Sequence, residues 1–236
     1  MNTLITTYFE EPDWLSLFIE NNFDKRFFSK LIVVDDGSST FPAKDVLSEY
    51  PDADISLFAV PTNIGFNSHG CRNLAMKFCE TEWATLLDVD HIIYGFGLEA
   101  MQELINTRTD DIWVEFKENQ FAVKVNNFWK TGGYNEELIN YHCGDNIMQN
   151  RLNYLFNKIN LVEYCKKTPV FRRDTKKLVF DSNKKITEYP DSETVINPCT
   201  EEEMYSLLYK LQTDPFNIEK WKENEVLTFP WIKIEL

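Results

Sequence analysis

From Thr3 to Leu155, short apolar runs alternate with segments of helical period, and that alternation leaves few folds open. "TLITTY", "KLIVVDDGSS", "DISLFAV" and "WATLLDVD" read as buried strands, followed by "DIWVEFK" and "FAVKV". Between them lie "EPDWLSLFIENNF", with Pro12 at an early helical position, then "PAKDVLSEY", "SHGCRNLAMKFCE" and "GLEAMQELINT". "GDNIMQNRLNYLF" completes the series as an amphipathic helix. Strands alternating with helices predict a largely parallel sheet covered on both faces. In such a sheet, the ligand site belongs at the carboxyl ends of the strands.

One of those strand ends is chemically odd. "TLLDVDH" runs an apolar strand into Asp88 and Asp90, one residue apart. Close carboxylates repel and resist desolvation, so packing does not explain them. Either the loop is exposed and merely acidic, or the pair holds a hard divalent cation, whose preferred ligands are carboxylate oxygens.

The charge balance narrows the partners. A formal net charge of −14 argues against nucleic acid and anionic membranes, which need a cationic footprint. A phosphorylated ligand stays compatible if a metal or a local basic group supplies the positive charge. Five cysteines (Cys71, Cys79, Cys143, Cys165, Cys199) are an odd number without a CxxC pair, which disfavours a disulfide framework or structural zinc. Met1 leads directly into a strand, without a basic or apolar leader, and no apolar stretch approaches the ~20 residues of a membrane span. The expectation is a cytoplasmic protein with no transmembrane segment. After about Lys166 the chain turns polar and charge-mixed, then offers a capped helix at "TEEEMYSLLYKLQ" and a strand-like "LTFPWIKIEL". This predicts a core over residues 1–165 and an extension over 166–236 packed on it.

Five motifs occur in a fixed order: "LIVVDDGSS", "NIGFNSHGCRNLAM", "WATLLDVDH", "FWKTGGYNEE" and "GDNIMQNRL". That succession resembles the family 2 glycosyltransferases of the GT-A fold. "DVD" with "GGYNE" is also similar to a related galactosyltransferase family of the same fold. The resemblance covers roughly Thr3 to Leu155. It implies an α/β/α sandwich of GT-A type, with a mostly parallel central sheet, a Rossmann-like nucleotide-binding half and a C-terminal helix and strand extension. It also implies transfer of a sugar from a UDP- or GDP-sugar to a glycan or other hydroxyl acceptor, with inversion and with Mn2+ or Mg2+.

Carried onto this chain, the resemblance assigns donor nucleotide contacts to Thr6, Tyr8, Asp36, Asn63, Gly65, Arg72 and Asp88. Tyr8 would stack on the base and Asp36 would accept from it, while Asp35 is structural. Arg72 is a diphosphate partner or a structural one. Asp88 and Asp90 take the metal, and Asp145 is the catalytic base, six residues before Arg151. Trp129, Gly132, Gly133 and Glu136 fall in the acceptor or donor-sugar region. His142, near Asp145, is kept as a candidate metal ligand because imidazole is a competent one.

Plainer readings stand beside these. Asp35-Asp36-Gly37 suits a turn, Arg72 can pair with a helix-face acid, and Trp129 and Tyr134 serve a core as well as an acceptor platform. His91 and His142 read as satisfied polar residues, and Asp145 as an acid favoured by a helix N-terminus. That position predicts a lowered Asp145 pKa. The pattern also departs from the family: Phe9 replaces an Asn, Asn135 an Asp, and Gly144 the Glu that often helps bind the acceptor. A nucleotidyltransferase would need a Gly-rich basic loop, which "TTYFEEPDW" lacks. A non-catalytic nucleotide-sugar or glycan-binding module would keep the donor residues and lose the base.

Overall fold

A computed structural model describes residues 1–172 apart from 109, 118 and 141–143, the short segments 179–180 and 186–188, and residues 225–236. The strands are β1 (Asn2–Tyr8), β2 (Lys30–Asp35), β3 (Ile55–Ala59), β4 (Trp83–Leu86), β5 (His91–Ile93), β6 (Ile112–Lys117) and β7 (Gln120–Lys124). They continue with β8 (Asn157–Asn160), β9 (Val170–Arg172), β10 (Val179–Phe180), β11 (Ile186–Glu188) and β12 (Ile232–Ile234). The helices are α1 (Pro12–Asn22), α2 (Ala43–Leu47), α3 (Ser68–Lys77), α4 (Gly95–Thr107), α5 (Val125–Lys130), α6 (Gly144–Leu155) and α7 (Leu161–Cys165).

An eight-stranded sheet runs in the order β12-β3-β2-β1-β4-β7-β6-β8. β1, β2, β3 and β4 are mutually parallel, and β8 is parallel to β6. β7 runs against both its neighbours because only two residues link it to β6, enough for a hairpin and too few for a crossover. β12 closes the far edge antiparallel to β3. The expected mostly parallel sheet is present, with these antiparallel members added.

Strand alternation builds two cores. Leu31 and Val33 of β2 face one cluster, and Ile32 and Val34 the other, each at 0% exposure. Leu15, Phe18 and Ile19 of α1 join Leu98, Met101 and Leu104 of α4 on the first face. Cys71, Leu74 and Ala75 of α3 and Met148 and Leu152 of α6 cover the second. The i, i+3, i+4 spacing on each helix makes this possible, and each fully buried large apolar side chain stabilises by about 1.5–3 kcal/mol. α1 begins well because Pro12 occupies a first-turn position, where a missing N–H leaves no bond unmade.

The order of strands sets the site. β2 follows β1 on one side and β4 lies on the other, so the chain reverses direction across the sheet beside β1. The crevice at that switch point is where open α/β sheets receive ligands. The expected strand through Asp90 stops at Leu86, and β5 after it pairs with β9 in a separate two-stranded sheet. The "TEEEMYSLLYKLQ" helix lies outside the described residues, and the strand expected in "LTFPWIKIEL" is β12. No helix among the described residues is long and apolar enough to cross a membrane.

Candidate active site

A cavity of about 380 Å3 opens at the switch point. Tyr8, Asp36, Asp88, Asp90 and Asp145 line it, from β1, the end of β2, the turn after β4 and the start of α6. Aspartates from three distant stretches of sequence thus meet in one pocket, which Glu11 also lines.

The Asp35-Asp36 pair divides its work. Asp35 is structural: its oxygens accept from the Ser38 and Ala43 amides, each at 2.8 Å, fixing the turn into α2. Asp36 faces the pocket and accepts from the Asn67 amide at 2.8 Å. Burial pushes the Asp36 pKa up to about 6. Gly37 follows at φ +84°, and a Cβ there would meet Asn63 Cα at 2.7 Å, so glycine lets the two loops touch.

Arg72 is the centre of the charge arrangement. It is 2% exposed, and its guanidinium reaches Asp88 Oδ1 at 2.5 Å, the Tyr134 hydroxyl at 2.9 Å, and Asp145 Oδ1. Tyr134 in turn donates to Asp145 Oδ1 at 2.7 Å. Burial alone would lower the arginine pKa, but Asp145, Tyr134 and Asp88 outweigh it and raise it well above its ordinary value. Arg72 therefore pairs with two carboxylates of the site itself.

Asp145 sits in the first turn of α6 and is 7% exposed. The lowered pKa expected from its helix position is not found. Burial raises it, and the opposing pull of Arg72 does not cancel that effect. Among the described residues no hydrogen bond falls on Asp145 Oδ2, which leaves that oxygen for a ligand.

The Asp-x-Asp oxygens are all engaged by side chains. Asp88 accepts from Arg72 on Oδ1 and from Gln120 Nε2 on Oδ2 at 2.7 Å. Asp90 shares Oδ1 with His91 Nδ1 at 2.7 Å and accepts on Oδ2 from Arg172 Nε at 3.0 Å. Burial works to raise the Asp90 pKa, but His91 and Arg172 overcome it and hold the carboxyl well below the usual range. Asp88, Asp90 and His91 present ligand atoms within 4.8 Å of one another. Two carboxylates supply the oxygen ligands that a hard divalent cation takes, with an imidazole beside them.

The remaining sequence-derived residues fall into three groups. Tyr8 lines the pocket, with its hydroxyl tied to the Phe41 carbonyl at 2.6 Å. Thr6, Asn63 and Gly65 lie close by without lining it: Thr6 is buried in β1, and the Asn63 carboxamide closes its loop on the Gly65 amide at 2.7 Å. Trp129, Gly132, Gly133 and Glu136 do not line the pocket. Trp129 packs edge-on against Phe128, and Arg151 donates to the Gly133 carbonyl at 3.2 Å. Gly132 and Gly133 take φ of 82° and 71°, which the tight loop needs. Glu136 does not face the pocket. Its oxygens accept from Asn73 and from the amides of Leu227 and Thr228, at 2.8–2.9 Å, and clasp the C-terminal segment. His142 lies outside the described residues.

Sequence reasoning missed Gln120, Arg172 and His69, all of which line the pocket. The absent Glu at position 144 was the one available signal for His69. Its imidazole stacks on Tyr134 with ring centroids 5.4 Å apart and occupies the space where a Gly144 side chain would begin. Gly144→Ala is therefore expected to destabilise by about 1–3 kcal/mol through overpacking. In denaturant titrations the added His69→Ala change should restore most of that loss. Simple additivity of the two changes would show that they do not share the space.

An α/β/α sandwich with an acidic pocket at its switch point is the architecture of the GT-A glycosyltransferases. The chain belongs to glycosyl transferase family 2, whose family model matches residues 3–177. No curated protein matches it significantly. The fold is similar to the 1–349 portion of S. aureus TarS, with 17% identity, a TM-score of 0.54 and coverage of 64% of this chain and 54% of that one. The same TarS portion in complex with UDP matches at 18% identity and TM-score 0.55, covering 67% and 57%. The mannosyltransferase PcManGT from Pyrobaculum calidifontis, in complex with GDP-Man and Mn2+, matches at 14% identity and TM-score 0.52, covering 67% and 54%. The chain thus spans little more than half of the TarS 1–349 portion and of PcManGT, and 33% of the longer TarS chain.

Proposed function

We propose that this chain is a divalent-metal-dependent glycosyltransferase that moves a sugar from a UDP- or GDP-sugar to a hydroxyl acceptor with inversion. The observation that carries the proposal is the convergence of Asp36, Asp88, Asp90 and Asp145 on one pocket of a family 2 fold. Tyr8 and Asp36 form the nucleobase end, with Asp36 accepting from a ring N–H. Asp88 and Asp90, with His91 beside them, would hold Mn2+ or Mg2+, and the ion when bound would offset charge on the departing diphosphate. The Mn2+ and GDP-Man in the archaeal mannosyltransferase structure support that assignment.

Asp145 Oδ2 takes the acceptor proton as the hydroxyl oxygen attacks the anomeric carbon. Arg72 and Tyr134 hold the opposite oxygen, so the carboxylate cannot rotate away. One displacement inverts the anomeric centre. Residues 1–165 carry most of this machinery, residues 166–236 extend it and add Arg172 to the pocket, and the setting is cytoplasmic.

A nucleotide-sugar panel tests the reading directly. UDP or GDP with Mn2+, at 100 times its dissociation constant, should stabilise by about 2.7 kcal/mol in thermal shift. Asp90→Ala should remove most of that gain. Equal UDP affinity in chelator and in Mn2+, by calorimetry, excludes the metal role. Donor binding with no transfer to any acceptor would move the chain to the binding modules.

A further inference from the structure

We propose that Arg172 is a tethered counter-ion on Asp90 that makes metal and nucleoside diphosphate bind together rather than separately. The inference rests on the donor and metal reading above. Its starting point is the cross-strand register, in which Arg172 of β9 faces His91 of β5. The backbone is thereby fixed beside the Asp-x-Asp turn, and the side chain reaches Asp90 Oδ2 at 3.0 Å. That side chain is 34% exposed and lines the pocket, so it can leave Asp90 without unpacking the core.

Contact alone does not exclude an ion, because each carboxylate oxygen has a second lone pair. Charge does. Two hydrogen-bonded groups meet at the Asp-x-Asp turn, Arg72 with Asp88 and Asp145 and Arg172 with Asp90, and their three carboxylates and two guanidiniums sum to −1. A divalent ion arriving alone turns that sum to +1 in a largely buried site and places a second cation against Arg172. A diphosphate arriving with the ion supplies the anion that the released guanidinium can bind. Arg172 then exchanges Asp90 for the phosphate oxygens. Without Arg172 the cluster carries −2, and an ion by itself neutralises it. The arginine thus weakens metal binding in the empty protein and strengthens it in the loaded one, a coupling that must be reciprocal.

Free Mn2+ followed by electron paramagnetic resonance, and UDP and GDP binding by calorimetry, read this without any assay of turnover. Arg172→Gln should bind Mn2+ alone about tenfold more tightly than wild type, and UDP or GDP in saturating Mn2+ about tenfold more weakly; couplings of 5–150-fold are ordinary. Arg172→Lys keeps the charge and should retain most of the synergy. Unchanged or weaker Mn2+ binding by Arg172→Gln in the absence of nucleotide overturns the role of Arg172 and leaves the donor reading standing. Wild type that binds neither nucleotide with Mn2+ overturns both.

Discussion

Asp145→Asn yields a protein that binds donor and metal much as wild type does and transfers sugar roughly 10²–10⁴-fold more slowly, the usual cost of a lost general base. Asparagine is nearly isosteric and can still accept from Arg72 and Tyr134 on its carbonyl oxygen, so the local geometry survives. It has no basic site left for the acceptor proton. The pH profile gives a second readout. Burial raises the Asp145 pKa, so the carboxylate is protonated at the acid end and idle. Wild-type kcat/KM should climb as pH rises through that raised pKa, and the variant should lose the climb. Full transfer by Asp145→Asn with a genuine acceptor would remove Asp145 from the mechanism.

Arg72→Met is expected to have the largest effect on stability. It leaves Asp145 buried beside Asp88 with no compensating cation, and breaking a buried ion pair from one side costs about 3–5 kcal/mol. Asp145 dominates that cost, because Asp88 is one-third exposed and water screens part of its charge. The cost should depend on pH in a fixed direction. Without the arginine, the folded-state Asp145 pKa moves further above its unfolded value. A carboxyl raised in this way loses stability as pH rises from the unfolded pKa to the folded one. The deficit of Arg72→Met should therefore be smallest in acid and grow toward neutrality. A loss under ~1 kcal/mol at neutral pH, measured by denaturant titration, would show that the pair is not a net support.

Much of this molecule is legible locally. The turn at Gly37, the helix opened by Pro12 and the two-faced alternation of β2 each follow from residues within a few positions of one another. Asp88 and Asp90 stand out because an acidic pair at the end of an apolar strand has no packing rationale, and strand ends are where such sheets take ligands. Even the departure at Gly144 is visible in the sequence, although the imidazole that accounts for it is not.

Partner choice was not legible. Arg72 meets Asp88 and Asp145, 16 and 73 positions away, and Arg172 meets Asp90 across 82. Glu136 clasps Leu227 and Thr228 across 91 and 92 positions. The sign of the Asp145 shift reversed for the same reason: a helix N-terminus is a local feature, whereas burial depends on α3 and the Tyr134 loop closing over it. The sequence by itself determined the longer helices, the central strands and the acidic strand end, since backbone periodicity involves only near neighbours, whereas short elements such as β5, β8 and α7 carry too few residues to show a period. Tertiary structure alone decided which charge faces which, because sheet register and helix packing set those distances and burial sets their strength.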